Sequence, residues 1–535
     1  MTRSFQLEAL RGLWPGLAVC AFLLALVGGS LLTIGIQSDS VNVLSLGADP
    51  YLGKIIRFTL WQATLSTLIS IGLALPVARA LARRSAFPGR HLLLLLMGLP
   101  VILPVIVAVF GILAVYGKNG AFNSALSLLG IQLPIDLYGL PGILLAHAFF
   151  NMPLVVRLLL PAWEEVAEEN WKLASTLGMS GRALFRLVEW PAISGRLPGI
   201  CLIVFLLCFT SFAVVLTLGG GPATTTIEVA IYQALRYEFE PEQAALLAVV
   251  QLGLCTCTAL VLVKWFRVFS ATQGRRTNAR HRPDIHSRAG QIGDTLTIVV
   301  ASLFLMLPVA AIGVAGLQGP VVRVLSNLDL WWSALRSLFI ALGATVIATT
   351  LAMGLAVTGR FFQIARHKPR AKEFLMLMGS LSLAIPPMVI GTGLFLVALR
   401  SERLEHATLV LISLVNAVMI LPYVLRSIAP PLIQSGEQYH RLCANLGIQG
   451  WKRLRIVDWP ALRKPLAFAL GLGGALSFGD MGVAALFDTH GHTTLPVMLY
   501  YQMSAYRFDE AAVTALMLTL MGLALFWLLD RLVRQ

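Results

Sequence analysis

Long apolar runs alternate with short polar stretches throughout this chain, and the runs recur about twelve times. Each is long enough to cross a bilayer core as a helix, which takes roughly 20 residues. They fall near 13–36, 56–78, 92–116, 139–160, 198–218, 242–264, 294–316, 333–358, 374–399, 406–427, 466–487 and 509–530; these are spans 1–12 below. The pattern predicts an all-α polytopic membrane protein with about 12 transmembrane helices. The first run has the position of a signal peptide, but its apolar part is too long and no small-x-small cleavage signal follows, so it reads as an anchor.

Two of the polar gaps, 161–197 and 428–465, carry the same pattern. The first contains Trp171 to Pro191 and the second His440 to Pro460, at a constant offset of 269. In each, Leu-Gly is followed after nine residues by an aliphatic residue and then x-Trp-Pro: Gly178, Val188, Trp190 and Pro191, matched by Gly447, Val457, Trp459 and Pro460. A polar segment of this size cannot lie in lipid and must face water. The glycine is expected to bend a helix where no Cβ is tolerated, and the proline to fix the turn back into the membrane. Glu164, Glu165, Glu168 and Glu169 are expected to form a solvated acidic start to the first copy, favourable at a helix N-terminus.

The duplication reaches further. Pro153 and Arg157 map onto Pro422 and Arg426, Thr224-Thr225 onto Thr493-Thr494, Tyr232-Gln233 onto Tyr501-Gln502, and Tyr237 and Phe239 onto Tyr506 and Phe508. Two like-oriented, parallel halves are therefore fused, with a pseudo-two-fold pathway between them. The expected divisions are 1–55 (first span and outer loop), 56–264 (first permease domain), 265–293 (linker), 294–332 (span 7 and outer loop) and 333–530 (second permease domain). The linker is rich in arginine, including Arg267, Arg275, Arg276, Arg280, Arg282 and Arg288, and reads as solvated.

Composition adds direction. Only 13% of the 535 residues are charged, about half the share usual in a soluble protein. The net charge of +15 does not point to nucleic acid, because Lys and Arg sit in short loops between apolar runs. With the N-terminus cytoplasmic, 32 of the 41 Lys and Arg lie on the inner side, which places both repeated segments, the linker and both termini there. The six cysteines are scattered, and Cys255 and Cys257 have the wrong spacing for a zinc or redox pair.

No Gly-x4-Gly-Lys-Ser/Thr phosphate loop occurs, so the chain is not expected to hydrolyse ATP, bind a cofactor or act as an enzyme. Asp488, His490 and His492 read as a solvated outer loop rather than a metal site. The spans are nearly free of charge, unlike those of ion-coupled secondary transporters, which carry acidic or paired groups at membrane depth. Asp480, between two glycines in span 11, is the main exception, either facing a cavity or hydrogen-bonded as a structural group. His147 and Asn151, one turn apart on span 4, are candidates for the pore or for helix–helix hydrogen bonding.

The repeated segments resemble the coupling loop of ABC-importer permease subunits, whose pattern is Glu-Ala-Ala, three residues, Gly, nine residues, Ile-x-Leu-Pro. The Gly and Pro match in both copies. Lys172-Leu173-Ala174 and Arg441-Leu442-Cys443 stand in place of Glu-Ala-Ala, and Trp190 and Trp459 in place of Leu. The resemblance implies that Lys172, Ala174, Gly178, Trp190 and Pro191, with Arg441, Gly447, Trp459 and Pro460, contact an ATPase. The whole chain resembles the fused permeases of thiamine ABC importers in the stretches Arg57–Ala63, Leu103–Gly117, Tyr138–Asn151, Gly219–Ala234, Gly479–Phe487, Thr494–Pro496 and Ala511–Ala515. The fused iron(III) importer permeases share the architecture and are the alternative. The thiamine resemblance implies two copies of a cytoplasmic ATPase subunit, a periplasmic thiamine-binding protein, thiamine as cargo, and the lipid of a Gram-negative inner membrane as surroundings.

Overall fold

The computed structural model describes residues 2–38, 50–128, 130, 136–179, 181–266, 282, 284, 287–364, 366–380, 385–400, 404–448, 450–488 and 492–534. Helix is the regular structure throughout these residues, as a chain that must satisfy its backbone inside lipid requires. Nine helices among the described residues are long and apolar enough to cross a membrane, and a tenth forms if the bent pair Gly181–Ser194 and Leu197–Phe209 is one span. Predicted span 6 is one helix, Pro241–Phe266, and predicted span 9 is a shorter apolar helix, Pro387–Arg400.

The breaks fall where proline or glycine interrupts the backbone ladder. Span 3 is divided into Arg90–Leu96, Leu99–Ile102 and Val105–Tyr116, with Pro104 in extended conformation between the last two. Span 5 stops at Phe209 and restarts at Ala213. Its counterpart, span 11, stops at Phe478 and restarts at Gly482. The two interruptions are related by the same 269-residue offset as the repeat, so the halves break their fifth helix at the same depth.

The second repeated segment differs from expectation at its start. The sequence suggested that span 10 ends near 427; instead one helix runs from Leu404 to Asn445 through Pro422, Pro430 and Pro431. Close packing supports this extension. A Cβ on Gly436 would lie 2.6 Å from Ile364 Cδ1 and 2.7 Å from Arg360 Cδ, so the helix lies directly on the end of span 8. In the first half the corresponding helix ends at Glu164, and a separate helix, Glu168–Thr176, begins the repeat.

The first span of each half packs on the opposite half. Gly16 N–H donates to Thr358 Oγ1 at 2.8 Å and Ser30 Oγ donates to the Ile390 carbonyl at 2.9 Å, joining span 1 to spans 8 and 9. A Cβ on Gly393 would fall inside Ser30, and one on Gly354 would meet Val19 at 2.8 Å. Span 7 crosses the other way: a Cβ on Gly111 of span 3 would lie 2.6 Å from the Pro308 carbonyl. Small residues at these crossings let the helices approach closely, which is how helices associate where water supplies no driving force.

Candidate coupling segments and the junction between the halves

The two repeated segments are built alike. In each, the first helix ends on a left-handed glycine, Gly178 at φ +59° and Gly447 at φ +64°. The next residue closes the cap: Met179 N–H bonds the Ala174 carbonyl at 3.0 Å and Ile448 N–H the Cys443 carbonyl at 2.9 Å. This double-bonded glycine cap satisfies carbonyls that the helix end would otherwise leave bare. Nothing lies within 4 Å of where a Cβ would sit on either glycine. Glycine is required by backbone conformation, not by the crowding that the sequence suggested.

The Trp-Pro pair also has a different setting from the expected turn. Chain direction does not reverse there. Gly181–Leu184, a π-turn over Phe185–Glu189 and Trp190–Ser194 form a continuous helical run, as do Gly450–Arg453, a π-turn over Leu454–Asp458 and Trp459–Phe478. Trp190 N–H reaches back five residues to Phe185 and Trp459 N–H to Leu454. Proline has no N–H and its ring collides with the carbonyl four residues earlier in a regular helix. The wider turn immediately before Pro191 and Pro460 provides a local adjustment of the ladder at that point.

The last residue of each π-turn is a buried carboxylate. Glu189 is fully enclosed, with Arg79 Nε 2.6 Å from its Oε2 and Arg282 on its Oε1. Asp458 is held by Arg360 at 2.7 Å and Ser435 Oγ at 3.2 Å, with Arg453 at 3.9 Å. In both halves an arginine near the end of the second span pins the carboxylate that precedes Trp-Pro. Sequence reading passed over this acidic pair, although the x of x-Trp-Pro is acidic in both copies and that match was the available signal.

Among the exposed residues of the segments are large apolar side chains at matching positions. Leu173 and Leu177 stand out in the first copy, and Leu442 and Leu446 at the same positions in the second. Leu187 and Ile456 are 60% and 59% exposed; Trp190 and Trp459 are 43% and 44% exposed. Ala174 and Cys443 face inward, Ala174 packing with Val166, Trp171 and Leu184. Lys172 is exposed and pairs with Glu168 at 3.2 Å, and Arg441 is exposed. Glu168 and Glu169 open the helix, with Glu169 exposed as expected, whereas Glu164 bonds Arg90 at 3.0 Å and Glu165 pairs with Arg196 at the end of the preceding helix.

His147 and Asn151 lie inside the first half. His147 is buried with Nδ1 2.8 Å from Ser66 Oγ, and Asn151 Nδ2 donates to Cys208 Sγ at 3.2 Å, so spans 2, 4 and 5 are tied together there. In the second half the residues at the positions of His147 and Cys208 are Asn416 and Ser477, and they bond each other directly, Asn416 Nδ2 donating to Ser477 Oγ at 3.0 Å. Asp480 sits in the break of span 11, where its Oδ1 accepts from Gly482 N–H at 3.2 Å and its Oδ2 is buried without a hydrogen-bond partner. A Cβ on Gly479 would lie 2.9 Å from Pro104 Cβ, and one on Gly482 3.6 Å from Phe212, so Asp480 stands where the two halves meet. A second acidic side chain, Glu228, is buried and accepts from Gln251 at 2.5 Å. Glu228 falls in the gap between predicted spans 5 and 6, yet the fold buries it.

At the end of the molecule opposite the repeated segments, Phe239 and Tyr506 occupy left-handed conformations rare for such side chains and are strongly exposed. Asp488 is not solvated there as expected: it is buried and accepts from Tyr501 OH at 2.6 Å. His490 lies outside the described residues. No group of three or more His, Cys, Asp or Glu able to hold a metal occurs among the described residues.

The family model of the binding-protein-dependent transport system inner membrane component matches residues 354–535. A thiamine transport system permease protein of Brucella abortus (strain 2308) is 40% identical over 518 residues, covering 96% of this chain and 94% of that protein. The protein of the same description from Salmonella typhimurium is 42% identical over 524 residues, covering 97% and 96%. A sulfate transport system permease protein of Synechococcus elongatus is 28% identical over 266 residues, which is 92% of its length but 47% of this chain. A single-unit permease thus aligns with about half of this chain.

Proposed function

Because this chain belongs to the family of thiamine transport system permeases, whose members it matches at about two residues in five over nearly its full length, we propose that it carries thiamine across the inner membrane as the pore-forming subunit of an ATP-binding-cassette importer. The observation that carries this reading is the paired exposed apolar patch, Leu173, Leu177, Leu187 and Trp190 in one half and Leu442, Leu446, Ile456 and Trp459 in the other. Large apolar side chains exposed at matching positions on two polar, water-facing segments point to a protein contact. Two equal patches call for two copies of one partner, and the resemblance of the segments makes that partner a cytoplasmic ATPase subunit.

The geometry supports a mechanical reading. Each patch is carried on a segment pinned to its own half through Glu189–Arg79 or Asp458–Arg360. A displacement of the patch is thereby delivered to the second span of that half and to the broken fifth span that follows it. When ATP draws the ATPase pair together, the halves rock and the pathway between them changes the side to which it opens. The loaded thiamine-binding protein docks at the opposite end, around the exposed Tyr237, Phe239 and Tyr506. Thiamine bears a fixed positive charge, and Asp480 places a carboxyl group at the junction between the halves. Both termini, the linker and the repeated segments face the cytoplasm, in keeping with the distribution of Lys and Arg.

The test is reconstitution. Proteoliposomes holding this chain, the ATPase subunit and the thiamine-binding protein should accumulate labelled thiamine only with ATP. Uptake by the chain alone, driven by an ion gradient, overturns the reading in favour of a secondary transporter.

A further inference from the structure

Besides the break before the first helix, the two repeated segments differ in how the buried carboxylate obtains its second arginine. In the second copy the additional guanidinium comes from within the segment, as Arg453. The equivalent position in the first copy is Leu184, buried in the small core of Val166, Trp171, Ala174 and Leu184. The first copy takes its second guanidinium from the linker between the halves. Arg282 is almost wholly enclosed, bonds Glu189 Oε1, and lays its guanidinium over the Trp171 ring at 4.2 Å from the centroid. Its Nε also bonds Asp284 at 3.3 Å. Asp284 in turn pairs with Arg83 at 3.3 Å, and Arg83 and Arg84 pair with Asp294 at 3.4 and 3.1 Å. The linker is therefore riveted to the end of span 2 on one side and to the first repeated segment on the other.

The residue under Arg282 differs between copies in the corresponding way. Trp171 is fully buried, and its counterpart His440 is exposed. An aromatic face that accepts a stacked guanidinium is present where Arg282 arrives.

We propose that Arg282 and Asp284 form a built-in brace for the first coupling segment, whose first helix is separate from span 4 where the second segment continues span 10 unbroken. Arg282 is thus a positioning residue, acting through Glu189 and Trp171 on the Trp190 patch. Its consequence for transport rests on the coupling reading above.

The test separates the brace from that reading. Hydrogen–deuterium exchange on the full chain in lipid nanodiscs needs no ATPase. Arg282→Ala should raise amide exchange across 168–191 by roughly tenfold, the loss of a charge-assisted bond within a buried network, and leave 440–460 unchanged. Arg282→Lys, which keeps charge but loses the flat fork, should fall between. Arg282→Met keeps the apolar stem and removes only the guanidinium, and serves if Arg282→Ala does not fold. Unchanged exchange at 168–191 in folded Arg282→Ala overturns the brace. In the reconstituted importer, thiamine moved per ATP hydrolysed should fall in Arg282→Ala and be partly restored in Arg282→Lys. A wild-type ratio in both, with exchange raised, overturns the transport role. Failure of the wild-type chain to bind the ATPase would strike the coupling reading alone.

Discussion

The glycine caps allow conformation and crowding to be separated by substitution. Gly178 and Gly447 have φ near +60° with nothing within 4 Å of an added Cβ. A side chain therefore meets no neighbour and changes only the backbone preference. Left-handed backbone costs a residue with a Cβ about 1–2 kcal/mol. About 0.4–1 kcal/mol of that is offset because alanine has less freedom to lose than glycine. The net is ~0.5–1 kcal/mol at each cap, which shifts the balance between capped and frayed helix ends by roughly two- to fivefold. The caps belong to different halves and share no partner, so the double variant should lose about tenfold by addition. Asparagine visits the left-handed region more readily than alanine, so Gly178→Asn and Gly447→Asn should be milder than the alanine variants although the side chain is larger. The assay is binding of the ATPase subunit to the chain in nanodiscs, read alongside thiamine uptake in the reconstituted importer. Asparagine worse than alanine at both positions would refute the conformational account and restore crowding.

Three further outcomes are expected. Asp480→Asn keeps size and removes charge, so thiamine uptake should slow while ATP hydrolysis stimulated by the binding protein stays near wild type; normal uptake at normal yield would return Asp480 to a structural role. Asp458→Asn leaves the largely buried Arg360 facing a neutral group; breaking such a pair costs up to ~3–5 kcal/mol, visible as a lower melting temperature in detergent, and an unchanged melt would show that the pair contributes little. In a cysteine-free background, cysteine at Leu173 should react with an impermeant reagent only in inside-out vesicles and cysteine at Tyr506 only in right-side-out cells; the reverse would invert the assigned orientation and remove the coupling role.

Spans and duplication were legible in the sequence because each depends on a pattern longer than any local accident. An apolar run of bilayer length has few soluble readings, and a 269-residue offset held at many positions has no local cause. The chemistry of the repeated segments was less legible. Gly178 signalled a special backbone, but sequence could not distinguish a left-handed φ from a close neighbour, and the two demand the same residue. Glu189 and Asp458 were hidden because their partners, Arg79 and Arg360, lie about a hundred residues away. Arg282 looked like one more solvated linker arginine, since only the fold brings it to Trp171. The continuous helix through Pro430 and Pro431 was missed for a related reason: local preference favours a break there, and packing on span 8 prevails.

The crossed first spans impose a waiting time on synthesis. Gly16 bonds to Thr358 and Ser30 to Ile390, partners separated by 342 and 360 positions. At ribosomal rates of about 5–20 residues per second, span 1 enters the bilayer roughly 20–70 seconds before those partners exist. During that interval the small-residue face around Gly16 and Ser30 is turned to lipid or to whatever holds nascent helices. A chain arrested at the linker would insert six spans and still lack the surface its first helix was shaped to meet. Such a half-chain would be a natural target for membrane quality control, and only the finished chain buries the evidence of its own immaturity.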